Sequence, residues 1–173
     1  FFLELFAGQA MLTSAVTELS LRTATPVDIL SGPSFDLSDD RILKIVLSWI
    51  YGKQIWFVHL ATPCTRWIAA RAPADARGRA RGGRCPSCDP RSLAAARATR
   101  KVVDACRASG CRFAIEQPRS SRLFTWRPLS RSLKRSLAFP VDLYQCGYGT
   151  PFQKPTRLWT NEAALQNLSN HCK

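Results

Sequence analysis

No stretch of the chain approaches the roughly 18 uninterrupted apolar residues that a membrane-spanning helix needs. The opening segment, Phe1 to Val16, also lacks the basic residues that precede the apolar run of a secretory signal. Neither a membrane span nor a leader is therefore expected. Acidic residues are scarce too: 12 Asp plus Glu stand against 25 Lys plus Arg, a net charge of +13 with both histidines neutral. Most of the excess is arginine, whose planar fork makes two-pronged contacts with phosphate oxygens, so a polyanionic partner is expected. Charge alone does not separate DNA from RNA, or either from an acidic membrane face, and a merely solvated basic surface is the bland alternative. A disulfide framework is missing as well. The seven cysteines are odd in number and scattered (64, 85, 88, 106, 111, 146 and 172), which points to a reducing compartment with thiols free or metal-bound. With 46% apolar and 10% aromatic residues the chain can bury a core, so disorder throughout is excluded, and 173 residues suit one domain.

Strand-like and helix-like segments alternate. Leu3, Leu5 and Phe6 form a short apolar run ending in Ala7-Gly8, and an amphipathic stretch from Met11 to Leu21 follows. Thr25 to Leu30 is a second apolar run, carrying Asp28 near its end. After Pro33, Ser38-Asp39-Asp40 has the composition of a helix N-cap ahead of Ile42, Ile45, Val46 and Trp49. Gln54 to Ala61 is apolar on both faces and stops at Thr62-Pro63, as a buried parallel strand does. The segment at about 71–90 is rich in Arg, Ala and Gly and is expected to be a mobile insertion. Helical spacing returns from Ser92 to Ser109, with Gly110 as its stop. Cys111 to Ile115 is then a strand closed by Glu116-Gln117-Pro118, and a basic helical stretch lies around Leu129 to Leu137. Val141 to Tyr144 and Thr156 to Trp159 are the last two strands. Four strand-then-helix units followed by a strand pair predict a doubly wound, mostly parallel α/β sheet with its ligands at the carboxyl ends of the strands.

The residues able to carry chemistry fall at those ends. Gly8 sits where a backbone approaches a ligand at the mouth of a helix, and Asp28, 20 residues later, is placed to take both hydroxyls of a ribose. A structural turn explains the glycine equally well. Cys64 follows a proline at the end of a buried strand, and a thiolate there is a soft nucleophile whose pKa a neighbour such as Arg66 would lower. Glu116 ends the next strand in the same cleft, and nucleophile plus carboxylic acid form a recognisable catalytic set. Cys85-Pro86-Ser87-Cys88 is a CxxC pair that, with Cys106 and Cys111, could supply four thiolates to zinc, and His171-Cys172 could be half of a second site; their irregular spacing leads us to expect no metal. The arginines from Arg66 to Arg100, with Trp67 as a stacking ring, read either as a phosphate-tracking loop or as a solvated one.

Leu3-Glu4-Leu5-Phe6-Ala7-Gly8, Thr62-Pro63-Cys64, Ile115-Glu116-Gln117-Pro118 and the run from Tyr148 to Trp159 (YGTPFQKPTRLW) resemble, in order and spacing, the motifs of cytosine-C5 methyltransferases, in particular compact members from phages and giant viruses. The resemblance spans about Leu3 to Asn161. It implies a Rossmann-like fold that binds S-adenosyl-L-methionine: Phe6, Ala7 and Gly8 at the methionine part, Asp28 at the ribose, Asp36 at the adenine amino group, and Pro63 beside the cofactor. It further implies Cys64 as the nucleophile toward C6 of cytosine and Glu116 as the hydrogen-bond partner of N3 and the exocyclic amine. Arg157 would orient the base and support Glu116. Arg66, Trp67, Gln153 and Lys154 would face nucleic acid.

C5 of cytosine is too poor a nucleophile to attack a methyl sulfonium until a bond at C6 has made the ring an enamine, and a soft thiolate suits that addition. The base must also leave the duplex stack to be reached. The pattern departs from the family where Gln117-Pro118 replaces asparagine-valine and where Thr65 replaces glutamine. With about a dozen residues after Asn161, no target-recognition domain is expected. The expectation is one catalytic domain over 1–173, acting on cytosine in DNA inside the cell, in nucleus, cytoplasm or viral factory. The alternatives are an RNA-directed enzyme of the same chemistry and a nucleic-acid-binding remnant without turnover.

Overall fold

The computed structural model describes residues 1–65, 67 and 90–170. The chain runs β1 (Phe2–Leu5), α1 (Met11–Glu18), α2 (Asp40–Tyr51), β2 (Phe57–Leu60), α3 (Pro90–Ser109), β3 (Arg112–Pro118), α4 (Arg127–Arg135), β4 (Phe139–Tyr144) and β5 (Pro155–Thr160). These form an α/β structure on one five-stranded mixed sheet of order β1-β2-β3-β5-β4. The first three strands are parallel; β5 is antiparallel to both β3 and β4. The expected strand over Thr25 to Leu30 is reduced to one parallel bridge beside β1, Leu5 with Val27, with a second, Phe2 with Thr23, just before it. Pro26 lies between them and has no N–H to give to a ladder. Asp28 instead caps a 3-10 turn, Ile29–Ser31.

Strand alternation sorts the side chains into two faces. Leu3, Val58 and Phe113 lie in one cross-strand row and Leu5, Leu60 and Ile115 in the next. All six are buried together with Leu43, Val46 and Ile50 of α2 and Val102 and Val103 of α3. Helices α2, α3 and α4 pack in series on this side. The opposite face carries Phe2, Phe57, Glu4, His59, Ala114 and Glu116. Among the described residues α1 and the 3-10 turn Ala163–Leu168 flank it, leaving a largely apolar groove of about 550 Å³ between them.

The N-termini of two helices are capped in different ways. Asp39 accepts from the Arg41 amide at the start of α2, as the sequence leads one to expect. Helix α1 has no capping side chain of its own. Glu4 of β1 supplies one: its buried carboxylate accepts from the Thr13 amide at 2.7 Å and from the Thr13 hydroxyl at 2.5 Å. A carboxylate at that end is favoured by the helix dipole as well as by the hydrogen bonds.

The outer strand β4 is tied down from beyond the sheet, because Asn170 Oδ1 accepts from the Tyr144 amide at 2.6 Å. Within the core, Phe113 is fully buried at the centre of the sheet. Phe113→Ala should lower unfolding stability by about 3–5 kcal/mol in urea denaturation, the usual cost of removing a buried aromatic ring. A loss below about 1 kcal/mol would place the core elsewhere.

Candidate active site

The turn after β1 is built from backbone that side chains resist. Phe6, Gly8 and Ala10 all hold positive φ, at 57°, 54° and 53°. Glycine adopts that conformation freely, whereas Phe6 and Ala10 each store about 1–2 kcal/mol of strain. The surroundings impose the turn. Val27 O accepts from the Phe6 amide at 2.8 Å, and Asp28 Oδ2 accepts from the Gly8 amide at 2.9 Å. The other oxygen of Asp28 accepts from the Leu30 amide at 2.8 Å, so one carboxylate binds two loops together.

Beside this turn lies a cavity of about 380 Å³. Its wall is assembled from separate segments: Phe6 from the first turn, Asp28 and Ile29 from the second, Phe35 to Ser38 from the third, and Pro63 and Thr65 from the loop after β2. The first turn of α3, at Arg91, Ser92 and Ala95, completes it. Four of the six residues expected at the cofactor, Phe6, Asp28, Asp36 and Pro63, thus line one space. Ala7 and Gly8 shape the turn behind Phe6. Asp36 is held by the Ser38 amide, which donates to its Oδ1 at 2.8 Å. The volume lies within the range of small-ligand sites.

Cys64 lies in the loop that leaves β2, half-buried and free. The parallel register Leu60 to Ile115 sets that loop beside Glu116, at the same end of adjacent strands. Both sides of the loop are fastened. Gln117 Nε2 donates to the Thr62 carbonyl, and the Thr62 and Thr99 hydroxyls share a hydrogen bond of 2.7 Å. Beyond the cysteine, the Trp67 amide donates to Cys64 O at 2.8 Å. Trp67 itself is only 3% exposed and its ring meets Trp126 at 6.1 Å, so it is a core residue and not the expected stacking ring for nucleic acid. A wide apolar side chain placed after a strand end is covered by the adjoining turn, which spacing alone did not reveal. Arg66 and the CxxC cysteines Cys85 and Cys88 lie outside the described residues, as do His171 and Cys172 and nearly all of the Arg/Ala/Gly-rich insertion.

Glu116 points to the groove face, with its side chain about 29% exposed. Lys154 Nζ lies 3.5 Å from Oε1 and His59 Nε2 lies 3.8 Å from Oε2. Arg157, expected to support Glu116, does not reach it. In the β3–β5 register Arg157 stands opposite Gln117, one residue along, and therefore on the other face of the sheet. There it makes a two-pronged pair with Asp142, Nε to Oδ1 at 2.6 Å and Nη2 to Oδ2 at 2.8 Å. Arg119 approaches the same carboxylate at 3.2 Å and donates to the Tyr144 hydroxyl. Lys154 is the cation at Glu116; neighbouring Gln153 is exposed.

Several site residues were not singled out from sequence. His59 was visible as the one ionisable residue inside the otherwise apolar strand run, and Gln117 follows from alternation once Glu116 is placed. Thr99 and Asp142 have no local sequence signal, since their partners lie 37 and 15 residues away. Cys106 and Cys111 adjoin at the α3–β3 turn, where the hydrogen bond between the two thiols, reinforced by burial, pushes the Cys106 thiol well up, and the same hydrogen bond pulls the Cys111 thiol down against the opposing effect of its burial. Among the described residues no group of three or more His, Cys, Asp or Glu is gathered to hold a metal.

Burial pushes the His59 imidazole below its ordinary value of 6.5, against the opposing pull of the Glu116 and Glu4 carboxylates. His59 is therefore neutral near pH 7. Because the unfolded chain takes up that proton first, this group's contribution to stability is complete above about 6.5 and is lost as pH falls below it. Proton NMR should give a His59 midpoint below 6.5, assigned by its disappearance in His59→Gln. A midpoint at or above that value would contradict the burial argument.

Compared with known protein families and with curated proteins, the chain matches none.

Proposed function

We propose that the protein is an S-adenosyl-L-methionine-dependent methyltransferase of the Rossmann-like class that modifies C5 of cytosine in DNA. The observation that carries this reading is that Phe6, Asp28, Asp36 and Pro63 line one cavity, whose wall includes Pro63 and Thr65 on either side of the half-buried Cys64 thiol. The parallel run β1-β2-β3 followed by an antiparallel β5 inserted inside β4 supports the fold assignment. The charge of +13 supports a nucleic-acid substrate.

The cavity fits the cofactor in chemistry as well as size. Two carboxylates, Asp28 and Asp36, present acceptors to hydroxyl and amino groups, and Phe6 and Pro63 present apolar surface. When bound, the cofactor supplies an electrophilic methyl group. The chain supplies the rest. The Cys64 thiolate adds to C6 of a cytosine that has left the stack, opening the C5=C6 double bond as the carbon–sulfur bond forms and moving electron density to C5; once C5 is substituted, loss of the C5 proton to solvent or a base and breaking of the carbon–sulfur bond restore the double bond and the thiolate. Glu116 hydrogen-bonds the N3 and amine edge and stabilises the charge that accumulates there. Lys154 holds the Glu116 carboxylate from the side. Arg157 acts at a distance, by locking β4 to β5 through Asp142.

Nucleoside mass spectrometry of mixed DNA incubated with S-adenosyl-L-methionine should show 5-methylcytosine with the wild type and none with Cys64→Ala. Cofactor binding by calorimetry should be unchanged in that variant. Methyl on a ring or exocyclic nitrogen would overturn the mechanism. Binding of DNA with no product, or product in RNA alone, would favour the remnant or the RNA-directed enzyme.

Asp28→Ala should weaken cofactor binding at least about tenfold, or 1.4 kcal/mol, because it removes a polar contact and frees the Gly8 turn. Unchanged affinity would take the cofactor out of this cavity.

A further inference from the structure

We infer that Gln117 is a positioning residue that sets the orientation of the Cys64 thiol through the Thr62 carbonyl. The inference rests on the reading of Cys64 as the nucleophile, and it adds a residue to that site. Gln117 is 2% exposed and both ends of its amide are engaged. Nε2 donates to Thr62 O, while Oε1 accepts from the Ser121 hydroxyl at 2.8 Å. Ser121 is fixed in turn, since its oxygen accepts from the Leu123 amide as the cap of the 3-10 turn Arg122–Thr125. A buried primary amide satisfied on both sides has one orientation, and it transmits that orientation to whatever it holds.

What it holds is the peptide plane directly before Pro63. That plane is rigid, and the proline ring fixes the next φ near −65°. Between the anchored Thr62 carbonyl and the sulfur of Cys64, the remaining soft torsions are ψ of Pro63, φ of Cys64 and the cysteine χ1. The backbone beyond is closed by the Trp67 amide on Cys64 O, and Trp67 is buried. The anchored Thr62 carbonyl and the Trp67 bond to Cys64 O together confine the cysteine backbone from both sides, leaving χ1 to place the sulfur. The alternation that turns Glu116 toward the groove turns Gln117 toward this loop, so consecutive residues of β3 address the base edge and the nucleophile separately.

The test replaces Gln117 by methionine, which keeps the volume and removes both hydrogen bonds, beside Ser121→Ala, which loosens the amide and leaves Gln117 in place. Two readouts are taken: steady-state methyl transfer, and the rate at which iodoacetamide alkylates Cys64 as resolved by peptide mass spectrometry, with Cys146 as the internal reference. Gln117→Met should lower kcat about 10–100-fold, with KM for S-adenosyl-L-methionine within about twofold, as misplacement of a reacting atom does. Cys64 should be alkylated about threefold faster or more, since local opening of its loop exposes the thiol, while Cys146 is unchanged. Ser121→Ala should move both readouts in the same direction by less, and it decides the matter if Gln117→Met does not fold. Unchanged alkylation of Cys64 in both variants overturns the inference, whatever happens to kcat. If the wild type produces no methylcytosine, the proposed function fails, and the alkylation rates alone still decide whether Gln117 sets the thiol.

Discussion

The arrangement of the site depends on one constraint, the two-residue period of β3 at its carboxyl end. Glu116 and Gln117 are neighbours in sequence and face opposite sides of the sheet. Glu116 therefore meets His59 and Lys154 over the groove, while Gln117 enters the buried side and reaches Thr62 and Ser121. The same period assigns Arg157 to the side of Gln117, where Asp142 receives it. A one-residue slip of β5 against β3 would exchange these partners and would put a guanidinium beside Glu116. Register is hard to change here, because Leu158 and Thr160 of the same strand are buried.

The charges are distributed economically for so basic a chain. Asp142 takes two arginines, Arg119 and Arg157, and Asp104 takes Arg100 and Arg135. These pairs are partly exposed, so each contributes little to stability on its own. Their effect is to fix geometry. Arg157 joins the last two strands, and Arg100 and Arg135 join α3 to α4 through one carboxylate. Asp28 has a similar double task at the other end of the sheet, where its two oxygens hold the Gly8 turn and the Leu30 turn while the side chain lines the cavity.

The sequence made the periodic elements legible wherever local chemistry decides them. The Asp39 cap of α2, the Gly110 stop of α3 with φ of 76°, and the apolar strands β1 and β2 lie close to where composition puts them. The second strand was overestimated, because its apolar residues surround a proline that cannot donate to a ladder. At the strand ends, four residues singled out from sequence, Phe6, Asp28, Asp36 and Pro63, line one cavity, while Cys64 lies in the loop after β2 and Glu116 faces the groove on the other side of the sheet. The site was illegible wherever a side chain's face or cover is set by a distant partner. Trp67 is drawn into the core by Trp126, Arg157 is drawn away by Asp142, and α1 is capped by Glu4 from a neighbouring strand, none of which a local pattern encodes.

The outer margin of β4 bears on how the molecule meets its own kind. In an antiparallel pair alternate residues turn their amides away from the partner strand, and here the sequence of outward positions includes Pro140 and Tyr144. Pro140 has no hydrogen to offer, and Asn170 already accepts from Tyr144. A foreign strand seeking to extend the sheet at this margin would find two of its anchoring donors withdrawn, so templated stacking of one chain on the next is discouraged by covalent structure at one position and by a side-chain plug at the other.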